Sequence, residues 1–231
     1  MPNQSRTPEE QFVAYHNRLR GELDTAYEHY QIAKSLREFS QTRRSEFTEA
    51  SAFFQLTIAA NLFTTVMIIN RAFIDQRDDC LQLHGFFKLI RNNLSLFSTS
   101  AFKKRLAEGT WSKGYIEDRI GSHVEITCKM VNDDETKLES LPIKHLKKWR
   151  NKMLAHRDKK LALKNIDVMK ANPVTVKEID DVLTTLDEIL NRYVIAYDGG
   201  GYDIRSRHLE SQIEDVMNAI RFYQQSREEQ K

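Results

Sequence analysis

A chain of 231 residues can form one domain with an appendage, and 40% hydrophobic against 29% charged residues is the balance of an ordinary soluble globular protein. With 8 glycines and 4 prolines it has few helix breakers, so long helices should dominate. Cys80 and Cys128 are too few for a disulfide framework and Met1–Thr7 is polar, so a cytoplasmic protein with reduced thiols is expected.

Thr7-Pro8-Glu9-Glu10 reads as a helix start, with a capping hydroxyl, a first-turn proline and acids at the positive end of the dipole. The first helix should run to about Phe39. A second is expected from about Ser45 to Ile74, apolar over most of its circumference and therefore central. Its stretch Ala52–Ile69 carries no charge and is close to a membrane span of about 18 residues. Thr57, Asn61, Thr64 and Thr65 give it a polar stripe, which fits the central helix of a soluble bundle better than lipid. A third helix is expected over Asp79–Phe97 and a short one from Ser100. Residues 109–121 hold three glycines and read as a connection with room for a helical turn, 122–130 as another helix, and Asn132-Asp133-Asp134-Glu135 as an acidic loop.

Ser140-Leu141-Pro142 opens a helix expected over about 141–157. Thr175 caps the next, Val176–Tyr197, with Glu178 completing a capping box. Asp198-Gly199-Gly200-Gly201 ends that helix and forms the one clear joint. Beyond it, Leu209, Ile213, Val216, Ile220 and Tyr223 form an apolar stripe that must bury itself against the body or a partner. The reading is all-α throughout, with residues 1–198 as a helical domain and 199–231 as a glycine linker and amphipathic C-terminal helix.

Net charge is +2, yet Lys144, Lys147, Lys148, Arg150, Lys152, Arg157, Lys159, Lys160 and Lys164 face only Asp158 within 143–164. Such a stripe is the footprint of a polyanion site, although charge alone fits a solvated lysine face better. At about 100° per residue, Ile143, Leu146, Met153 and Leu154 define one apolar face, and Arg150 falls inside it. A guanidinium cannot lose its proton, so that position requires an anion, either a buried carboxylate or a substrate phosphate. Helix geometry alone favours the carboxylate.

His156 lies about 240° further round, beside Trp149 and Met153. It can meet Arg150 only if the helix ends nearby or a second copy supplies part of the site. His145 shares the stripe and reads as a partly exposed or interface histidine. Cys80 and His84 are four apart, but no further metal ligands accompany them. Phe86, Phe87 and Phe97 read as core, and Gly199–Gly201 lacks the lysine of a phosphate loop.

The string Arg150-Asn151-Lys152-Met153-Leu154-Ala155-His156-Arg157-Asp158 resembles the signature of HEPN proteins, especially their abortive-infection U branch. Phe53–Ile58 through Ile74 and Asp75, and Ile90–Leu96, also resemble that branch, so the likeness covers about Ala52–Lys160. It implies an antiparallel HEPN-like bundle that dimerises with two motifs facing across a cleft. It further implies a metal-independent, cofactor-free endoribonuclease of toxin type, with Arg150, Asn151 and His156 catalytic. Lys147, Lys148, Lys152, Arg157, Lys159 and Lys160 would bind RNA, and the partners would be RNA, a second copy and a cognate antitoxin or regulator, with no membrane. His156 would move protons to and from ribose oxygens, Arg150 would hold the scissile phosphate, and Asn151 would orient either. Asp158 stands where some relatives carry a modifiable tyrosine, so that control route is not implied. The alternative is a non-catalytic RNA- or nucleotide-binding or interaction module.

Overall fold

Thr7 starts the first helix as expected: its Oγ1 accepts from Glu10 N at 3.2 Å, and Glu10 Oε2 accepts from Thr7 N at 2.8 Å. Helix α1 then runs over Pro8–Thr42, 35 residues or about 52 Å. In the computed structural model, which describes residues 6–75, 82–141, 143–151, 174–202 and 209–230, all regular structure is helical. The inner face of α1 repeats at alternating steps of four and three: Phe12, His16, Leu19, Leu23, Ala26, Tyr30 and Ala33 are all buried.

The expected helix Ser45–Ile74 is instead α2 (Arg44–Glu49), α3 (Ser51–Ile69) and a π turn (Asn70–Ile74). Arg43 and Ala50 leave the α region at φ −126°, ψ 57° and φ −136°, ψ 44°. No glycine or proline marks those breaks; tertiary contacts accompany them. Arg43 donates to Asn218 Oδ1 at 2.6 Å and Glu214 Oε1 at 2.9 Å, and Arg221 donates to Glu46 at 2.7 Å.

α3 runs antiparallel to α1, through His29–Asn61 (2.6 Å), Ala26–Thr65 (3.3 Å) and Glu22–Arg71 (2.6 Å). Asn61 and Thr65 of its polar stripe therefore face α1, while Thr57 and Thr64 donate to carbonyls of α3 itself. Phe53, Leu56 and Met67 point outward at 65%, 71% and 38% exposure, so only the end from Thr65 onward is central. By length and hydropathy Ser51–Ile74 would pass as a membrane span, and 28% of its most apolar 18-residue window is buried.

α4 (Leu83–Asn92) ends in a 3-10 turn, Leu94–Phe97, and supplies Phe86 and Phe87 to the core beside Phe97, as expected. α5 spans Thr99–Glu108 behind a Ser98 cap. The expected connection 109–121 contains a full helix, α6 (Lys113–Ser122), because Ser112 Oγ caps it through Tyr115 N. The helix expected over 122–130 is absent as such: 123–127 is non-helical, and α7 (Cys128–Ser140) absorbs the expected acidic loop. Asp134 explains that change. It lies buried in α7 and accepts from Tyr193 Oη at 2.8 Å and from Arg192.

α8 spans Ile143–Trp149. α9 (Val176–Asp198) is the central helix, begun by the Thr175–Glu178 capping box and ended by Gly199 at φ 78°. It lies antiparallel to α1. Tyr30 Oη donates to the Val176 carbonyl (2.9 Å), Arg20 to Asp187 (2.6 Å), and His16 Nε2 to the Leu190 carbonyl (3.2 Å). Burial pushes the Tyr30 hydroxyl up, which keeps it a donor. α10 (Leu209–Glu229) docks on α1 and α2 through Ile213, Met217 and Ile220. Of its expected stripe, Val216 and Tyr223 stay exposed.

Burial holds the His16 imidazole below its ordinary 6.5, against the opposing hydrogen bond to the Leu190 carbonyl. The unfolded chain therefore takes up a proton near pH 6.5 that the folded chain refuses, and stability is lost as pH falls below that value. Denaturant unfolding between about pH 5 and pH 8 should show this slope, and His16→Gln should flatten it. An unchanged slope would assign it to other groups.

Candidate functional site

Arg150 lies in the turn immediately after α8. The preceding turn anchors it, because Leu146 and Trp149 are buried in the main core. α8 is also tied to the end of α3. Asn70 Nδ2 donates both to the Val66 carbonyl of its own helix, at 2.8 Å, and to the Leu146 carbonyl, at 3.2 Å. The π turn that Asn70 opens closes on Asp75, whose N–H donates to the Asn70 carbonyl at 2.8 Å. π turns recur at functional positions because the extra residue re-aims the chain beyond it.

The side chain re-aimed here is a carboxylate. Arg150 Nη1 donates to Asp75 Oδ1, while Arg150 Nε donates to Asn151 Oδ1 at 2.9 Å. The pair is half-buried, with side-chain exposures of 21% and 17%. Among the described residues these bonds use two of the guanidinium's five N–H groups, so the arginine is oriented with donors left over there. The anion demanded by Arg150's place in an apolar arc is thus present within the chain.

Beside the pair lies a cavity of about 130 Å³ lined by Asp75, His84, Phe87, Glu135, Glu139 and Lys147, among others. Lys147 thus stands near three carboxylates, while Lys148 is exposed. Glu135 is further engaged by Arg91 and lies 3.4 Å from His84 Nδ1. His145 Nδ1 stands 3.5 Å from Glu178 Oε1. The described part of the basic stripe therefore borders a mixed surface. Of the sequence-derived site, Arg150, Asn151, Lys147 and Lys148 are placed. His156, Lys152, Arg157, Lys159 and Lys160 lie outside the described residues, as does Cys80.

The residues missed as site components are Asn70 and Asp75. A signal existed for Asp75: it is the first acid after Glu49, closing a long stretch without any. Nothing in the sequence singles out Asn70, whose part is to bond a backbone carbonyl on another helix.

A family model described as AbiU2, of the HEPN group, matches residues 9–219. No curated protein matches the chain, and no solved structure matches it.

The Arg150–Asp75 pair should be measurable by a double-mutant cycle. Asp75→Ala should destabilise by about 1–3 kcal/mol through the stranded guanidinium, with the range kept low by partial exposure. Arg150→Met combined with Asp75→Leu should recover much of the loss, giving a coupling of about 1–2 kcal/mol in denaturant unfolding. Additive losses would mean that the pair does not hold the motif.

Proposed function

Because the chain belongs to the AbiU2 family of HEPN proteins, we propose that it is a metal-independent endoribonuclease of abortive-infection or toxin type, acting as a cytoplasmic homodimer. The observation that carries this reading is the state of Arg150, oriented by Asp75 and Asn151 with N–H groups to spare. Such a guanidinium suits a phosphodiester, whose non-bridging oxygens gather charge as phosphorus becomes five-coordinate. The pair keeps some contact with water, so phosphate can compete with Asp75 for the guanidinium.

His156, six residues on in the motif, takes the 2′-hydroxyl proton as that oxygen attacks phosphorus. The P–O2′ bond forms while P–O5′ breaks, and the departing 5′-oxygen takes a proton. The products are a 2′,3′-cyclic phosphate and a 5′-hydroxyl, so the substrate is RNA and not DNA. Lys147 and Lys148, with Lys152, Arg157, Lys159 and Lys160, grip the backbone in a salt-dependent way. A cognate antitoxin or regulator keeps the enzyme quiet until it is needed.

The homodimer is supported by α3. Phe53, Leu56, Ala60, Phe63 and Met67 alternate steps of three and four, and all but Phe63 are exposed. That spacing is the seam of a helix pair, and a second copy supplies the identical seam. With Asn61 and Thr65 turned to α1, the outer face of α3 is left apolar, and a second copy is the cover that this reading assigns to it. Parallel pairing would bring both α3 C-termini, and with them both Arg150–Asp75 pairs, to one end of the dimer.

One observation favours a second reading. The Asp75 partner makes Arg150 competent as a purely structural latch, which suits a non-catalytic RNA-binding or interaction module.

Incubation with total RNA separates the two. Cleavage should persist in EDTA and be abolished by either Arg150→Ala or His156→Ala; an active His156→Ala protein would sink the nuclease mechanism.

Light scattering should give twice the chain mass at micromolar concentration, and Leu56→Glu should yield monomers that no longer cut. A Leu56→Cys variant should crosslink to itself under oxidation, as parallel pairing requires. A fully active monomer would rule out the shared site.

A further inference from the structure

Helices α1 and α4 meet along matching faces. Gln11, Ala14, Tyr15 and Arg18 stand at i, i+3, i+4 and i+7 on α1, and Gly85, Lys88, Leu89 and Asn92 repeat that spacing on α4. Together they line an open groove of about 540 Å³, which Arg6 extends past the Thr7 cap. The α1 wall from Gln11 to Arg18 is about 10 Å long.

The floor is made by close approach. Tyr15 Oη donates to the Gln82 carbonyl at 3.0 Å and accepts from Gln82 N at 3.2 Å. A Cβ at position 85 would lie 2.4 Å from that hydroxyl, so Gly85 is what lets α4 sit so near. Ala14 and Leu89 complete a floor without charge.

The rims are charged, and all of one sign. Arg6, Arg18 and Lys88 line the groove beside the amides of Gln11 and Asn92, and all five are exposed. No carboxylate joins them among the described residues. The acids nearest in sequence on α1 are engaged. Glu9 lies 3.4 Å from Arg105, Glu10 caps α1, and Glu22 is shared between Arg18 (3.3 Å) and Arg71 (2.6 Å). One carboxylate between two guanidiniums leaves a positive charge over. Spread cations with amides between them, above a neutral floor, match a run of phosphates better than one compact anion.

The groove also adjoins the motif. His84 lines the cavity beside Asp75, and Lys88 follows it by one turn on α4. The two openings therefore lie on neighbouring faces of one helix, about 10 Å apart.

We propose that this groove holds the phosphate backbone of a single-stranded RNA segment adjoining the Arg150 site. Arg6, Arg18 and Lys88 each meet a phosphate, and Gln11 and Asn92 donate to sugar or phosphate oxygens. The strand crosses α4 beside His84, a turn that a single strand can make and a stiff duplex cannot. That the polymer is RNA rests on the nuclease reading; the phosphate contacts are a property of the groove.

A fluorescent 2′-O-methyl RNA of about 12 nucleotides tests it, because its backbone is charged and cannot be cut. Its affinity for the full chain is read by anisotropy across a range of salt. At about 0.7 per neutralised phosphate, Arg6→Gln/Arg18→Gln/Lys88→Gln should lower the slope of log Kd against log salt by about 2. Binding in low salt should weaken at least about tenfold. Arg37→Gln/Arg44→Gln/Arg227→Gln, which removes equal charge at the other end of α1, should leave the slope as it is. An unchanged slope in the groove variant, an equal fall in the control, or displacement of the probe by micromolar AMP would each overturn the proposal. A wild-type protein that binds the probe through the groove yet cuts no RNA would overturn the nuclease reading and leave the groove standing. One that does not bind the probe at all would overturn both.

Discussion

Two buried polar contacts decide where α9 lies along α1, and most of the other helices take their place from that pair. Tyr30 meets the Val176 carbonyl and His16 meets the Leu190 carbonyl, so the interval from 16 to 30 on α1 equals that from 176 to 190 on α9. The apolar stripes could not choose this register alone. Both helices repeat their buried residues at steps of three and four, so a slip of one heptad would keep apolar facing apolar. It would also strand a hydroxyl and an imidazole in the core, at about 1–3 kcal/mol each. Directional bonds therefore select one alignment from several that burial would accept.

The motif helix inherits its position through a comparable device. Asn70 bridges the end of α3 to the Leu146 carbonyl, and the π turn beyond it delivers Asp75 to Arg150. An arginine in an apolar arc thus finds its anion, and the anion has two effects. Asp75 makes the position tolerable, and it also occupies the group that a phosphate would need. Partial exposure reconciles these roles, since a pair that retains contact with water is exchanged at modest cost.

Local chemistry was legible wherever a cap or a sustained period carried it. The Thr7 start, the Thr175–Glu178 box, the left-handed Gly199 and the phenylalanine core all follow from residue types and spacing. Prediction failed where tertiary contacts outvoted local signals. The glycines of 109–121 suggested a connection, yet a serine cap sufficed for α6. A run of acids beside an asparagine reads locally as a loop, whereas Asp134 has partners 58 and 59 residues away that hold it in a helix. The polar stripe of α3 was visible, but its direction was not, because periodicity gives a face and not the side on which the protein lies. Arg150, Asn151, Lys147 and Lys148 could be placed; His156 and the remaining basic residues fall outside the described chain.

The π turn Asn70–Ile74 carries a consequence for how this site tolerates change in chain length. A π turn is in effect an α-helix with one residue inserted, the surplus taken up as a bulge. Deleting any one of Arg71, Ala72 or Phe73 would let the helix close again in ordinary register. Asp75 would then swing by about 100° and slide about 1.5 Å along the axis. Substitutions in the same stretch leave that angle alone. The meeting of Asp75 with Arg150 is therefore written in the number of residues before it as much as in their kinds, and a single-codon deletion could undo what most point mutations there would spare.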